Sequence, residues 1–164
     1  MSRTINVDLD PASINAAILQ IRDYQEWIKA KANELTRRLA EIGAAEACIT
    51  FSDAMYDGNN DTVVMVEPNG DNGYAVKASG TAVLFIEFGA GITYGYGHPD
   101  PEVEGVQMGP GTYPTESIYW AAPEGWYYAH DKHTYGNPPS MAMYNAANDM
   151  RDKVLEVARE VFRT

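Results

Sequence analysis

The sequence predicts an α+β domain. An antiparallel β-sheet of about four strands lies between a long N-terminal helix and a C-terminal helix, and a long Gly/Pro/Tyr-rich arm precedes the second helix. Three observations lead there. Residues 11–42 repeat an aliphatic side chain every seven positions. Residues 47–88 alternate apolar stretches with polar turns, and residues 140–163 carry apolar residues at three–four spacing. The chain has 164 residues, enough for a single domain (1–164) with a core of its own.

The first helix, 11–42, begins at Asp10, a candidate N-cap, with Pro11 at the first helical position. Ile14, Ile21, Ile28, Leu35 and Ile42 recur every seven residues. Ile18, Ala32 and Leu39 stand four residues after them, and Gln25 is the polar exception. Gly43 supplies the expected stop. Such a rod is roughly 48 Å long, more than a small domain needs. Its apolar seam is therefore expected to pack on its own sheet, on a neighbour's helix, or on both.

The expected sheet, 47–88, has strands at Ala47 to Met55, Thr62 to Glu67, Tyr74 to Ser79 and Ala82 to Phe88. Asp57-Gly58-Asn59-Asn60-Asp61 and Pro68-Asn69-Gly70-Asp71-Asn72-Gly73 are the turn signals between the first three. Alternation along the fourth puts Val83, Phe85 and Glu87 on one face and Leu84, Ile86 and Phe88 on the other. Both faces are apolar, so the reading is a central, covered strand. Glu87 is conspicuous there, because a carboxylate among Phe and Ile costs free energy unless it is hydrogen-bonded or paired.

The arm, 89–139, has no sustained helical period, but it is rich in aromatics, which argues against disorder. Ser117 to Ala121 and Gly125 to Tyr128 read as two short extra strands. Tyr and Trp give large contact areas at low entropic cost, which suits an arm that docks on a neighbour. The closing helix, 140–163, sets Met143, Ala147, Met150, Val154, Val157 and Val161 on one stripe, with charges of mixed sign around the rest.

Charge and cysteine use narrow the function classes. The net charge is −11. Residues 51–131 hold twelve acids against one base, Lys77, so the whole excess belongs to the middle of the chain. Such a surface repels phosphate and argues against tight nucleic-acid binding. No apolar run reaches the ~20 residues of a membrane span, and the N-terminus lacks a signal-peptide core. A lone Cys48, read as a small core residue, fits a reducing compartment.

The search for chemistry finds little. His98, His130 and His133 lack the paired spacing of zinc ligands. Asp57 to Asp61 begins like a calcium loop, but Thr62 and Pro68 occupy the places that need Gly and Glu. Gly95-Tyr96-Gly97 and Gly109-Pro110-Gly111 do not continue as nucleotide-binding fingerprints. No serine has a nucleophile-elbow context, and no spacing singles out a carboxylate pair. No catalytic residue, metal site or cofactor is expected.

The strand Phe85-Ile86-Glu87-Phe88-Gly89-Ala90-Gly91 is similar to a hallmark of the head–tail joining proteins of tailed bacteriophages, also called neck or tail-completion proteins. The likeness continues through His98-Pro99, Gly125-Trp126 and His133-Thr134-Tyr135-Gly136-Asn137-Pro138-Pro139 into the last helix. Ala90 stands where the family usually has Thr, and Met141-Ala142 where it usually has Pro-Phe. The resemblance implies a structural virion protein of the neck, made in the host bacterial cytoplasm. It implies a homo-oligomeric ring with portal- or connector-side and tail-side partners, DNA passing through unbound, and no membrane. The assembly contacts would come from Glu87, Phe88, Gly89, Gly91, Tyr94, Tyr96, Trp120, Trp126, Tyr127, Tyr135, Pro138 and Pro139. Two other readings stay open. One is a small hydrolase using acids or histidines of the Tyr-rich segment; the other is a glycan- or peptide-binding module using the same aromatics.

Overall fold

The computed structural model describes residues 4–54, 61–71, 73–89, 98–99, 102–103, 106–107, 124–128 and 132–163. Within them the fold is helix-rich. It has a long N-terminal helix, a C-terminal helix and a two-stranded antiparallel sheet between them in sequence. A four-stranded sheet is not formed among the described residues, because two of the four expected strands are helices.

Helix α1 spans Pro11–Asp53, about 65 Å at 1.5 Å per residue. It starts as expected: Asp10 is extended, and its Oδ1 accepts from the backbone N–H groups of Ala12 (2.9 Å) and Ser13 (3.0 Å). It does not stop at Gly43, and the strand expected from Ala47 is its last turns. The reason is a stripe of mostly small residues, Ala40, Gly43, Ala47 and Phe51, all buried. A Cβ on Gly43 would stand 2.5 Å from Sδ of Met150. The glycine therefore lets a side chain of the last helix approach rather than ending its own. Packing of this stripe overrides the β-branched Ile49-Thr50 pair, whose local preference is a weak prior. Cys48 is exposed on this helix rather than part of a core.

The last helix is α3, Ala142–Arg163, two residues shorter at its start than expected. It runs antiparallel to α1. Gly43 lies beside Met150, and the Trp27 ring meets Phe162 edge-on at 5.8 Å. Arg38 reaches Glu160 at 3.5 Å. Because α3 ends near Trp27, the first turns of α1 run on past it.

Strands β1 (Val63–Pro68) and β2 (Tyr74–Ser79) pair antiparallel from Val63↔Ser79 to Pro68↔Tyr74. The Asn69 N–H bonds to the Gly73 carbonyl at 2.8 Å across the turn. Val64 and Ala78 lean on the core cluster of Ala47, Phe51, Ala82, Ile86, Ala142 and Ala146.

The expected central strand Ala82 to Phe88 is instead a short helix, α2 (Val83–Phe88). Asp61 fixes the turn before it. Its carboxylate accepts from the Thr81 N–H with both oxygens (3.0 Å each) and from the Thr81 hydroxyl (2.9 Å). The Ile86 N–H then bonds to the Ala82 carbonyl at 2.9 Å, and Ala82 and Ile86, one turn apart, are both buried. An apolar run of this length has no periodicity that separates strand from helix. Short hairpins complete the described elements: β3 (Glu102–Val103) with β4 (Val106–Gln107), and β5 (Trp126–Tyr128) with β6 (Lys132–Thr134). The strand read at Gly125 to Tyr128 is thus present. The one read at Ser117 to Ala121 lies outside the described residues.

Candidate functional site

Every α-helix ends with carbonyls, and begins with N–H groups, that have no partner inside the helix. Here the end of α2 and the start of α3 satisfy one another. The Phe85 carbonyl accepts from Asn137 Nδ2 at 2.9 Å. The Ile86 carbonyl accepts from the N–H (2.8 Å) and the hydroxyl (3.0 Å) of Ser140, and the Glu87 carbonyl from the Met141 N–H at 3.2 Å. In return, the Glu87 side chain reaches the first turn of α3. Its Oε2 accepts from the Met143 N–H at 2.7 Å and its Oε1 from the Tyr144 N–H at 3.0 Å.

Glu87 is only 5% exposed, and His98, at 8%, places Nε2 3.0 Å from Glu87 Oε1. An ionised carboxylate can only accept, so this contact needs the proton on Nε2. Three donors and the positive end of a 22-residue helix offset the cost of burying the carboxylate. The imidazole is held on two further sides, 4.4 Å from the Phe88 ring and 5.6 Å edge-on from Tyr144, centroid to centroid.

Backbone geometry explains the flanking residues. Gly89 has φ 77° and ψ −177°, a region essentially reserved for glycine. A Cβ there would stand 2.7 Å from both the Asn137 carbonyl oxygen and the Pro139 nitrogen. Met141 is the non-glycine residue with positive φ (56°) among the described residues. Its carbonyl takes the first bond of α3, from the Asn145 N–H at 2.8 Å. Proline fits neither that φ nor the Met141 N–H that bonds to Glu87. Position 141 therefore excludes proline.

The structure thus brings together Glu87, Phe88, Gly89 and Pro139, with Pro138 exposed between its partners. It does not bring Tyr127 and Tyr135 into that cluster's contacts. They stand exposed, at 70% and 51%, on either side of His133, with T-shaped contacts of 4.7 and 4.8 Å. Trp126 lies on β5. Gly91, Tyr94, Tyr96, Trp120 and His130 lie outside the described residues. The sequence reading weighed His98 only as a metal or hydrolase candidate and gave Ser140, Met141 and Tyr144 no place in a site. The bonds of the last three to α2 join residues more than fifty positions apart, a relation no local spacing encodes. Among the described residues no three His, Cys, Asp or Glu side chains gather as metal ligands would. Among the described residues no helix is long and apolar enough to cross a membrane.

Two more carboxylates, exposed Asp61 and half-buried Glu34, are also tied down. Hydrogen bonds from Thr81 hold Asp61 below its usual pKa. On α1, hydrogen bonds from Arg38 and then Arg37 do the same for Glu34.

A second surface differs from this buried junction. Of residues 11–31, only Ala17 is buried. Ile14, Ile18, Ile21 and Ile28 form a ridge on α1, each 40–47% exposed.

In comparisons with known proteins, no family model matches the chain, and neither a curated protein nor a solved structure matches it.

Proposed function

We propose that this chain is a structural protein of the neck or tail-completion complex of a tailed phage. It assembles with itself as a ring between the capsid connector and the tail, and DNA passes through without specific binding. The observation that supports this reading is the junction of α2 and α3. Several of the residues that carry the family likeness, Phe85 to Gly89, His98, and Asn137 to Pro139, bond to or pack on one another across that junction. A shared fastening of two helices accounts for such residues without a reaction. Both Glu87 oxygens already accept hydrogen bonds from the helix they cap, which weighs against the hydrolase reading. The exposed Tyr127, His133 and Tyr135 offer an aromatic face for a neighbouring subunit. The acidic middle of the chain suits passage of DNA past a wall it does not grip.

The test is genetic and structural. Deleting the gene from its phage or prophage should leave filled heads and separate tails, and supplying the protein in trans should join them. Normal, infectious particles without the protein would overturn the reading.

A further inference from the structure

We infer that the exposed ridge of α1 packs in parallel on the same ridge of other copies of this chain. The spacing comes first. Ile14, Ile18, Ile21, Gln25 and Ile28 alternate steps of four and three, the pattern of a helix seam that faces another helix. The 18-to-21 step sets Ile14, Ile21 and Ile28 at the d positions of a heptad and Ile18 and Gln25 at the a positions. This seam is not the stripe that meets α3, which runs through Ala40, Gly43, Ala47 and Phe51. Among the described residues nothing buries it before the helix reaches α3.

Charge then selects the occupant's direction. Arg22 and Lys29 flank the seam on its e side, and Ala17, Tyr24 and Lys31 on its g side. Antiparallel copies would set e against e, facing Arg22 and Lys29 toward their own equivalents. Parallel copies set g against e, bringing Ala17 beside Arg22 and the Tyr24 ring beside Lys29. That arrangement removes the like-charge contact and offers a cation–π contact. Isoleucine at both a and d favours three or more helices over two, and the single Gln25 fixes their register. The ridge is a strip about 30 Å long and 10 Å wide. It offers on the order of 300 Å² per contact face, well under the roughly 800 Å² per partner of a standard interface, so association depends on concentration.

The partner rests on the self-assembly proposed above; the surface and the parallel arrangement are independent of the phage role. Three measurements on the purified full chain test it. Sedimentation should show association of the wild type. Ile14→Asp with Ile21→Asp should raise the apparent Kd at least tenfold, with far-UV circular dichroism unchanged. In a Cys48→Ser background, Ile14→Cys should cross-link to itself on mild oxidation. A monomeric wild type, unchanged association of the double variant, or cross-linking of Ile14→Cys only to Ile28→Cys would overturn the inference. If association survives the double variant and heads still join tails, the ridge is wrong and the neck role stands. If the ridge assembles copies but particles form without the protein, the neck role falls and the ridge stands.

Discussion

The two ends of α1 belong to one uninterrupted helix, but they live in different surroundings. From Ala40 to Phe51, small residues at three–four spacing let α3 and α2 come close, and the core cluster forms there. From Ile14 to Ile28, larger aliphatic residues at seven-residue spacing stand open. Apolar periodicity alone does not say which stretch is buried. The size of the side chains does: alanine and glycine mark where a neighbour already sits, and isoleucine marks where one can arrive.

The same substitution at each end is the strongest way to break that contrast. Ala47→Asp puts a charge at a fully buried position and should cost several kcal/mol, enough to unfold the domain. Circular dichroism of the purified variant would show it, and a folded, native-like variant would mean that the cluster around Ala47 is not the core.

Glu87→Ala comes next. It removes the acceptor of two helix-start N–H groups and takes one hydrogen-bond partner from the buried His98. The expected loss is about 3 kcal/mol, a Tm roughly 6–12 °C lower for a chain of this length. Hydrogen exchange should quicken in α3 and in the half of α1 it covers, and stay unchanged over residues 11–26. Glu87→Gln keeps one acceptor and turns an NH2 toward a donor, so it should rescue only part of the loss. Gly89→Ala should cost about 2 kcal/mol, because alanine fits neither the φ nor the space.

Acid sharpens the contrast more gently. Asp61 and Glu34 both have lowered pKa values in the folded chain. Their contribution is therefore present above the ordinary carboxylate range and is lost as pH falls through the lowered values. A Tm series from neutral pH into strong acid should decline in that window, and Asp61→Asn should flatten part of the decline. The smallest effect belongs to the open end. Ile21→Asp should change the stability of the monomer by no more than about 0.5 kcal/mol, read by denaturation at a concentration too low for association.

Much of this was legible in the sequence. The heptad gave α1 and its start at Asp10, the turn signals gave β1 and β2, and the three–four stripe gave α3. Glu87 stood out because its neighbours in sequence are apolar. The errors share one cause. Ala47 to Met55 and Ala82 to Phe88 are short apolar runs whose choice between strand and helix is made by distant partners: Ile86, Ala142 and Ala146 for the first, Asn137, Ser140 and Met141 for the second. His98 likewise gains its place only when Phe88, Glu87 and Tyr144 meet in space.

The junction of α2 and α3 also acts as a clasp on the chain itself. It holds residues 85–89 to 137–144, so the two ends of the intervening chain are pinned by the same set of bonds. Closing a loop twice as long costs only about 0.6 kcal/mol more. Away from His98, which Glu87 holds, the intervening chain can therefore change in length with little penalty to the helices that hold it. The clasp separates the part of the protein that must keep its geometry from the part that is free to diversify.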